Sequence, residues 1–485
     1  MKFLHGLQKF MRKINSQTKV IATLGPASKS KEVILQMINA GVDVFRLNFS
    51  HSTKAEHLNL INIIKELNLE LGTNVAILAD LQGPKLRVGE IKNDFLNLEE
   101  GDIIAFVTEK CLGTKDHLYM SYQEFPKDVN PGETILIDDG KIKLEVTETN
   151  KNDIVKARVI YGGPLTSNKG VNLPDTKVSL PCLSETDISN ALFALDHDVD
   201  WLGLSFVRKA SDILELKNLI KKKSGHAGVI AKIEKPEALK EIDQIIDLAD
   251  AVMVARGDLG VEIPFDEVPL IQKLIVGKCN MHSKPVIIAT QMMESMITNF
   301  RPTRAEANDV ANAVLDGADA LMLSGETSVG KYPVETIASM ESIIAYTENN
   351  GDPFNKLYTP EEDTSTFLAD SICSNASQLA RQVKANAIVV FTHSGYTAIR
   401  ISSHRPKAKI YAFTSNKKLL NKISMVWGIQ PFYLSGYNDL DKAIHESIEM
   451  LKDKKLLTEG DCVIHVGSTP LHLHGMTNMM KVSKI

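Results

Sequence analysis

The chain has 485 residues, 44% hydrophobic and 24% charged, an ordinary globular composition with length for roughly three domains. A formal net charge of -5 and a pI near 6.3 offer no basic field for nucleic acid, and no apolar run is long enough to span a bilayer. An anionic substrate must therefore be held by a local cluster of cations.

Residues 1–17 carry Lys2, Lys9, Arg12 and Lys13, and they read as a short basic extension rather than a targeting segment. Apolar strands are expected at 19–24, 42–47 and 75–80, with helices at 31–40 and 57–71 between them. Residues 84–177 differ. They are rich in Val, Ile, Thr, Gly and Asp, with turn signals at Asn130-Pro131-Gly132 and Asp138-Asp139-Gly140 and no helical periodicity, so a small inserted β-domain is expected. Strands then resume at 201–205, 228–233, 251–255, 285–290 and 320–323, with a helix at 210–222. Eight βα units predict an α/β fold, a (β/α)8 TIM barrel over 18–83 and 178–345, interrupted after its third strand by a β-barrel-like lid. Residues 346–485 alternate strands at 387–391, 409–413 and 462–466 with helices at 366–383 and 440–452, a third, α/β domain. The five cysteines, Cys111, Cys182, Cys279, Cys373 and Cys462, are scattered without a CxxC pair, which fits reduced thiols in the cytoplasm.

In such a barrel, function sits at the C-terminal strand ends. Arg46, Asn48 and Ser50 follow the second strand, Asp80 the third, and Ser205 the fourth. Lys232 and Glu234 end the fifth, and two-residue spacing puts them on one side of it. Gly257 and Asp258 follow the sixth strand, Thr290 the seventh, and Ser324-Gly325-Glu326 the eighth. Any one of these alone would read as a surface salt bridge. Together they read as a catalytic site, because unpaired buried charges cost several kcal/mol each. An ammonium beside two carboxylates suits a divalent cation and a phosphorylated or carboxylated substrate.

The motifs are similar to those of the pyruvate kinase family. Val254-Ala255-Arg256-Gly257-Asp258-Leu259-Gly260-Val261-Glu262, Ile230-Ala231-Lys232-Ile233-Glu234, Arg301-Pro302-Thr303-Arg304-Ala305-Glu306 and Met322-Leu323-Ser324-Gly325-Glu326-Thr327 all resemble its signatures. So do Ala22-Thr23-Leu24-Gly25-Pro26 and Phe45-Arg46-Leu47-Asn48-Phe49-Ser50-His51 near the start. The resemblance implies phosphoryl transfer from phosphoenolpyruvate to ADP, giving pyruvate and ATP. It places Arg46 and Lys232 on the phosphoryl group, Glu234 and Asp258 on Mg2+ (or Mn2+), and the Gly257 and Asp258 amides on the substrate carboxylate, with Ser205 also at the substrate. Thr290, with Glu326 in its relay, would deliver the proton to the enolate. His51, Arg87 and Lys169 would meet the ADP/ATP phosphates.

Asn48, Ser50, Asp80 and the Leu81 carbonyl match the family's K+ site. Potassium-requiring relatives typically carry Thr, Lys and Glu where Leu81, Gln82 and Lys85 stand here, so Lys85 is expected to supply the missing charge and K+ not to be required. In the C-terminal domain, Thr392-His393-Ser394-Gly395-Tyr396-Thr397 leads into a helix and corresponds to the family's effector loop. The following Gly467–Gly475 stretch departs from the pattern of fructose-1,6-bisphosphate-regulated members, which leaves a sugar phosphate or a nucleotide as the effector. His472 and His474 have no evident partner ligands and read as structural. A homotetramer without nucleic-acid or membrane partners is implied. Two other readings are a lyase acting on phosphoenolpyruvate-like acids and a silent effector-binding protein. The first would lack a lid lysine such as Lys169, and the second would not keep Lys232, Glu234, Asp258 and Thr290 together.

Overall fold

The computed structural model describes residues 16–435, 439–470 and 477–485, so most of the basic extension and the pair His472 and His474 lie outside the described residues. Strands β1 (Lys19–Thr23), β2 (Val44–Asn48) and β3 (Ala76–Asp80) open a barrel. An inserted domain follows, with β4 (Leu96–Leu98), β5 (Ile103–Val107), β6 (His117–Tyr119), β7 (Thr134–Ile137), β8 (Ile142–Thr149), β9 (Ile154–Tyr161), β10 (Gly163–Leu165) and β11 (Val171–Asn172). The barrel closes with β12 (Trp201–Leu204), β13 (Gly228–Ile233), β14 (Ala251–Ala255), β15 (Val286–Ala289) and β16 (Ala320–Leu323), all parallel, β16 pairing back to β1. These strands are buried on both faces, which is why they read as short apolar runs without alternation. Ile21, Val44, Leu78, Ile230, Met253, Ile287 and Met322 fill the interior, and a second apolar shell joins the strands to the surrounding helices.

The lower end of the barrel is closed by a repeated device. Asp43, Asp200, Asp250 and Asp319 each stand one residue before a strand (β2, β12, β14 and β16). Their carboxylates accept the N–H of Val20, Ile77, Val229 and Val286 on the preceding neighbour strands, at 2.9, 2.8, 2.8 and 3.0 Å. Asp319 also receives the Trp427 N–H at 3.1 Å and the Arg405 guanidinium at 2.9 Å, both from the C-terminal domain. A buried carboxylate with these partners ties the two domains at the barrel floor.

The inserted domain joins the barrel by two segments, and a barrel residue holds each. The Asp187 carboxylate accepts the Gln82 and Gly83 N–H groups at 3.0 and 3.2 Å. The Arg208 guanidinium donates to the Val178 and Leu180 carbonyls. The insert contains a short α-helix, Phe125–Asp128, with Pro126 in its first turn, inside a segment expected to be all strand and turn. In the C-terminal domain, β17 (Ala387–Phe391), β18 (Lys409–Thr414), β19 (Ile429–Tyr433), β20 (Cys462–Gly467) and β21 (Met479–Lys484) form one sheet in the order β19-β18-β17-β20-β21. β19 and β21 were not expected. They are the two edge strands; Pro431 interrupts β19, and β21 is half-exposed and antiparallel, so neither shows an apolar run. Among the described residues no helix is long and apolar enough to cross a membrane, and all five cysteines are free thiols.

Candidate active site

The polar strand ends converge at one mouth of the barrel. The buried Lys232 ammonium donates to Ser205 Oγ at 2.7 Å and pairs with Glu234 Oε1 at 2.9 Å and Asp80 Oδ1 at 3.1 Å. Burial works to lower its pKa, but the Asp80 and Glu234 carboxylates outweigh burial and hold it above the usual lysine range. Asp80 is 1% exposed. Burial works to raise its pKa, yet Lys232 and Arg46 win and hold the carboxyl below its ordinary value. Arg46 reaches Asp80 Oδ2 through Nε at 2.7 Å and Nη2 at 2.6 Å, while Nη1 donates to Thr23 Oγ1 at 3.0 Å. Ser205 Oγ in turn donates to the Leu81 carbonyl at 2.7 Å. Lys232 is thus fixed from three sides before any substrate arrives.

Glu234 follows the last residue of β13, and its second oxygen accepts the Phe206 N–H at 2.8 Å. Burial pushes this carboxyl up, Lys232 opposes the shift, and the neighbouring Asp258 adds to it. The Asp258 side chain has no hydrogen bond or ion pair among the described residues. Asp258 and Gly257 lie in the first turn of the helix Arg256–Glu262. Gly257 N–H donates to Thr290 Oγ1 at 2.6 Å, and that hydroxyl donates to the Ala289 carbonyl at 2.6 Å. Thr290 itself has φ +70, an uncommon conformation for a β-branched residue. Arg256 holds the turn, with Nη2 on the Thr290 carbonyl and Nη1 on Asp309, both at 2.8 Å.

Asn48, Ser50, Asp80, Leu81 and Lys85 line one small cavity of about 60 Å3 with Arg46, Lys232, Glu234 and Asp258. The Asn48 side chain accepts the Ser50 N–H at 3.0 Å. A second cleft of about 260 Å3 lies between the insert and the barrel, lined by Lys85, Arg87, Lys169, Arg208, Lys235 and Asp258. In it, Arg87 donates to the Asn168 carbonyl at 2.7 Å and Lys169 pairs with Asp138 at 2.9 Å. His51 is lowered by burial and then by Lys85, Arg87 and Arg46, so it belongs to the same cationic neighbourhood. Glu326 stands apart from the cluster. It is buried, and its carboxylate is occupied by the Met293 and Ser324 N–H groups at 3.2 and 2.7 Å.

Sequence reasoning missed a link between insert and barrel. Glu262 Oε1 accepts from Asn172 of β11 at 2.7 Å and pairs with Lys235 at 2.5 Å. Lys235 adjoins Glu234, and Glu262 lies one turn beyond Asp258 on the same helix. The only local signal was that Glu262 ends one signature segment and Lys235 directly follows another. In the C-terminal domain, Thr392 Oγ1 accepts the Gly395 N–H at 3.0 Å, and Gly395 takes φ +91. Ser394 Oγ accepts the Tyr396 N–H at 3.4 Å, and Tyr396 OH donates to Asp370 Oδ1 at 2.5 Å. Thr397 Oγ1 meets Thr477 Oγ1 at 2.6 Å, and the His393 side chain is exposed.

The family description "Pyruvate kinase, barrel domain" matches residues 15–337, and "Pyruvate kinase, alpha/beta domain" matches residues 370–483. The chain is 42% identical to a pyruvate kinase of Geobacillus stearothermophilus, over 97% of this chain and 80% of that one. It is 39% identical to a pyruvate kinase of Clostridium acetobutylicum, over 97% of this chain and 99% of that one. A crystal structure of a pyruvate kinase from Cryptosporidium parvum superposes with a TM-score of 0.91 at 32% identity, covering 97% of this chain and 96% of that one.

Proposed function

This chain belongs to the pyruvate kinase family and is a phosphotransferase of that class, and we propose that it moves the phosphoryl group of phosphoenolpyruvate to ADP, giving pyruvate and ATP. The observation that carries this reading is the buried Lys232 ammonium, held by Ser205, Asp80 and Glu234 beside an Asp258 carboxylate that has no partner among the described residues. Lys232 and Arg46 stabilise the charge spread over the phosphoryl oxygens in transfer. Ser205 positions Lys232. The Gly257 and Asp258 amides receive the substrate carboxylate, for which Gly257 N–H must exchange its bond to Thr290 Oγ1. Thr290 then faces the enolate and relays the proton. Glu326 acts on it indirectly, by anchoring the turn at Met293.

Glu234 and Asp258 suit Mg2+ or Mn2+. They are two hard oxygen ligands, burial and then Asp258 push Glu234 up, and no group of three or more His, Cys, Asp or Glu suited to a metal is found among the described residues. Mg2+ commonly uses one or two carboxylates and takes its other ligands from substrate and water. When bound, the ion would act as a Lewis acid toward substrate oxygens. Arg87, Lys169 and His51 hold the ADP phosphates, and the insert closes over them to exclude water. Lys85, exposed but lining the cavity of Asn48, Ser50, Asp80 and Leu81, supplies the charge that K+ gives elsewhere in the family, so K+ is not required.

The loop Thr392 to Thr397 takes the phosphate of a sugar-phosphate or nucleotide effector at the start of the helix Tyr396–Ser403, which makes the enzyme allosteric. The enzyme works in the cytoplasm as a homotetramer. Exposed Phe265, Leu270 and Leu274 support an interface between copies. The test is pyruvate release by wild type and by Lys232→Met. Release is expected from the first, and a fall of about 10²–10³ in kcat from the second. Equal rates would sink the reading.

A further inference from the structure

A further cavity lies away from the catalytic mouth and borders the effector loop at Ser394 and Tyr396. It encloses about 780 Å3 between the lower end of the barrel and the C-terminal domain. Trp201, Asp250 and Lys284 form its barrel wall, and Tyr358, Arg400 and Lys422 its opposite wall. That volume is within the range of small-molecule pockets, roughly 300–1,000 Å3.

The charges around it are unevenly satisfied. The Asp250 carboxylate is fully engaged, by the Val229 N–H at 2.8 Å and by Lys217 at 3.0 Å. Arg400 is likewise occupied, with Nη2 on Asp370 at 2.8 Å and Nη1 on Ser283 Oγ at 2.7 Å. Lys284 and Lys422 both act on the same Asp250, so three ammoniums share one full carboxylate. Lys284 donates only to the neutral carbonyls of Asp247 and Ala249, at 2.8 and 2.7 Å. The Lys422 carbonyl accepts the Trp201 indole N–H at 3.2 Å, but the Lys422 ammonium makes no hydrogen bond or ion pair among the described residues and lies 5.2 Å over the Trp201 ring. Burial lowers the pKa of both lysines, and the Asp250 carboxylate opposes the shift without overcoming it. Two other carboxyls act on this pair without meeting the deficit. Asp200 is tied to the Ile77 N–H and pushed up to about 7 by burial, and Asp247 is held by His282 at 2.9 Å.

We propose that this interdomain cavity binds a small ring-bearing anion, a phosphate or a carboxylate, with its charged end against Lys422 and Lys284 and its ring near Trp201 and Tyr358. The anion completes a charge set that the protein leaves open. Because its walls come from two domains, an occupant fixes the C-terminal domain on the barrel floor and borders Ser394 and Tyr396 of the effector loop. The cations that hold the anion, Lys422 and Lys284, belong to neither the catalytic cluster nor the effector loop.

Pyridoxal 5'-phosphate tests it, since it carries a ring, a phosphate and an aldehyde. The neutral amine of a lysine condenses with the aldehyde and expels water; borohydride then reduces the imine to a secondary amine that peptide mass mapping locates. At limiting reagent, Lys422 or Lys284 is expected to be labelled at least about tenfold faster than exposed Lys221, because the phosphate is held beside the amine. Adenosine monophosphate and benzoate are the competitors. Protection at these lysines, but not at Lys221, by the first alone assigns a phosphate ligand, and by the second alone a carboxylate. Labelling no faster than at Lys221, or unprotected by both competitors, overturns the proposal. A second variant, Ile399→Trp, fills the cavity from its wall. It should abolish the fast labelling while leaving the melting temperature and the anion-free turnover as in wild type, and fast labelling that persists in it overturns the proposal equally.

Discussion

Ser205→Ala removes one hydroxyl that does two things at once. It accepts from Lys232 Nζ at 2.7 Å and donates to the Leu81 carbonyl at 2.7 Å. Ser205 is 2% exposed, so water does not simply replace it. A hydrogen bond to a charged group contributes about 1.5–3 kcal/mol. Lys232 keeps Asp80 and Glu234 in the variant, so it stays charged, but it loses the neutral partner that fixes its direction. If that positioning is needed only in the transition state, kcat falls about 10- to 150-fold at 1.36 kcal/mol per factor of ten. The KM for ADP should hardly change, because the proposed nucleotide contacts, Arg87 and Lys169, line the separate cleft between insert and barrel. Steady-state pyruvate release, with Mg2+ saturating, measures both. A kcat within threefold of wild type, or a loss appearing only in the KM for ADP, would refute the claim that Ser205 positions Lys232.

Asp258→Asn removes one of the two oxygen ligands proposed for Mg2+, so the Mg2+ concentration for half-activation should rise at least about tenfold; Mn2+ binding followed by its electron paramagnetic resonance signal should weaken in parallel. Asn172→Ala cuts the bond from the insert to Glu262; it should raise the KM for ADP several-fold and leave the melting temperature nearly unchanged, whereas an unaltered KM would mean the link does not stabilise closure. His465 is buried in β20, and burial lowers its pKa to about 4 from 6.5. The unfolded chain therefore takes up a proton near pH 6.5 that the folded chain refuses until about pH 4, so this group's contribution to stability is lost as pH falls through that window, by about 3 kcal/mol in all. His465→Leu should flatten the fall in melting temperature between pH 6.5 and 4.5, and an equally steep fall would contradict this.

The strand ends were legible because geometry alone fixes them. Two-residue spacing put Lys232 and Glu234 on one side of β13, and they meet at 2.9 Å. Partners from distant segments were not legible. Nothing local says that Arg46 grips Thr23 and Asp80, that Ser205 takes the Leu81 carbonyl, or that Glu262 joins Lys235 to Asn172. Glu326 shows the opposite limit: its place after β16 suggested chemistry, and its carboxylate instead holds two backbone amides. The barrel strands announced themselves as short apolar runs, whereas the edge strands β19 and β21 did not, since an edge needs neither continuous burial nor alternation. The C-terminal domain's docking rests on Asp319 and Arg405, which are 86 residues apart and meet only in the folded chain.

The most direct test is pyruvate release from phosphoenolpyruvate, ADP and Mg2+ in a buffer free of K+ and ammonium, with K+ then added back. Full rate before the addition is the expected result, with Lys85 as the fixed cation at Asp80. Activity that appears only with K+ would keep the enzyme and remove that role from Lys85, and no pyruvate in either buffer would contradict the account as a whole.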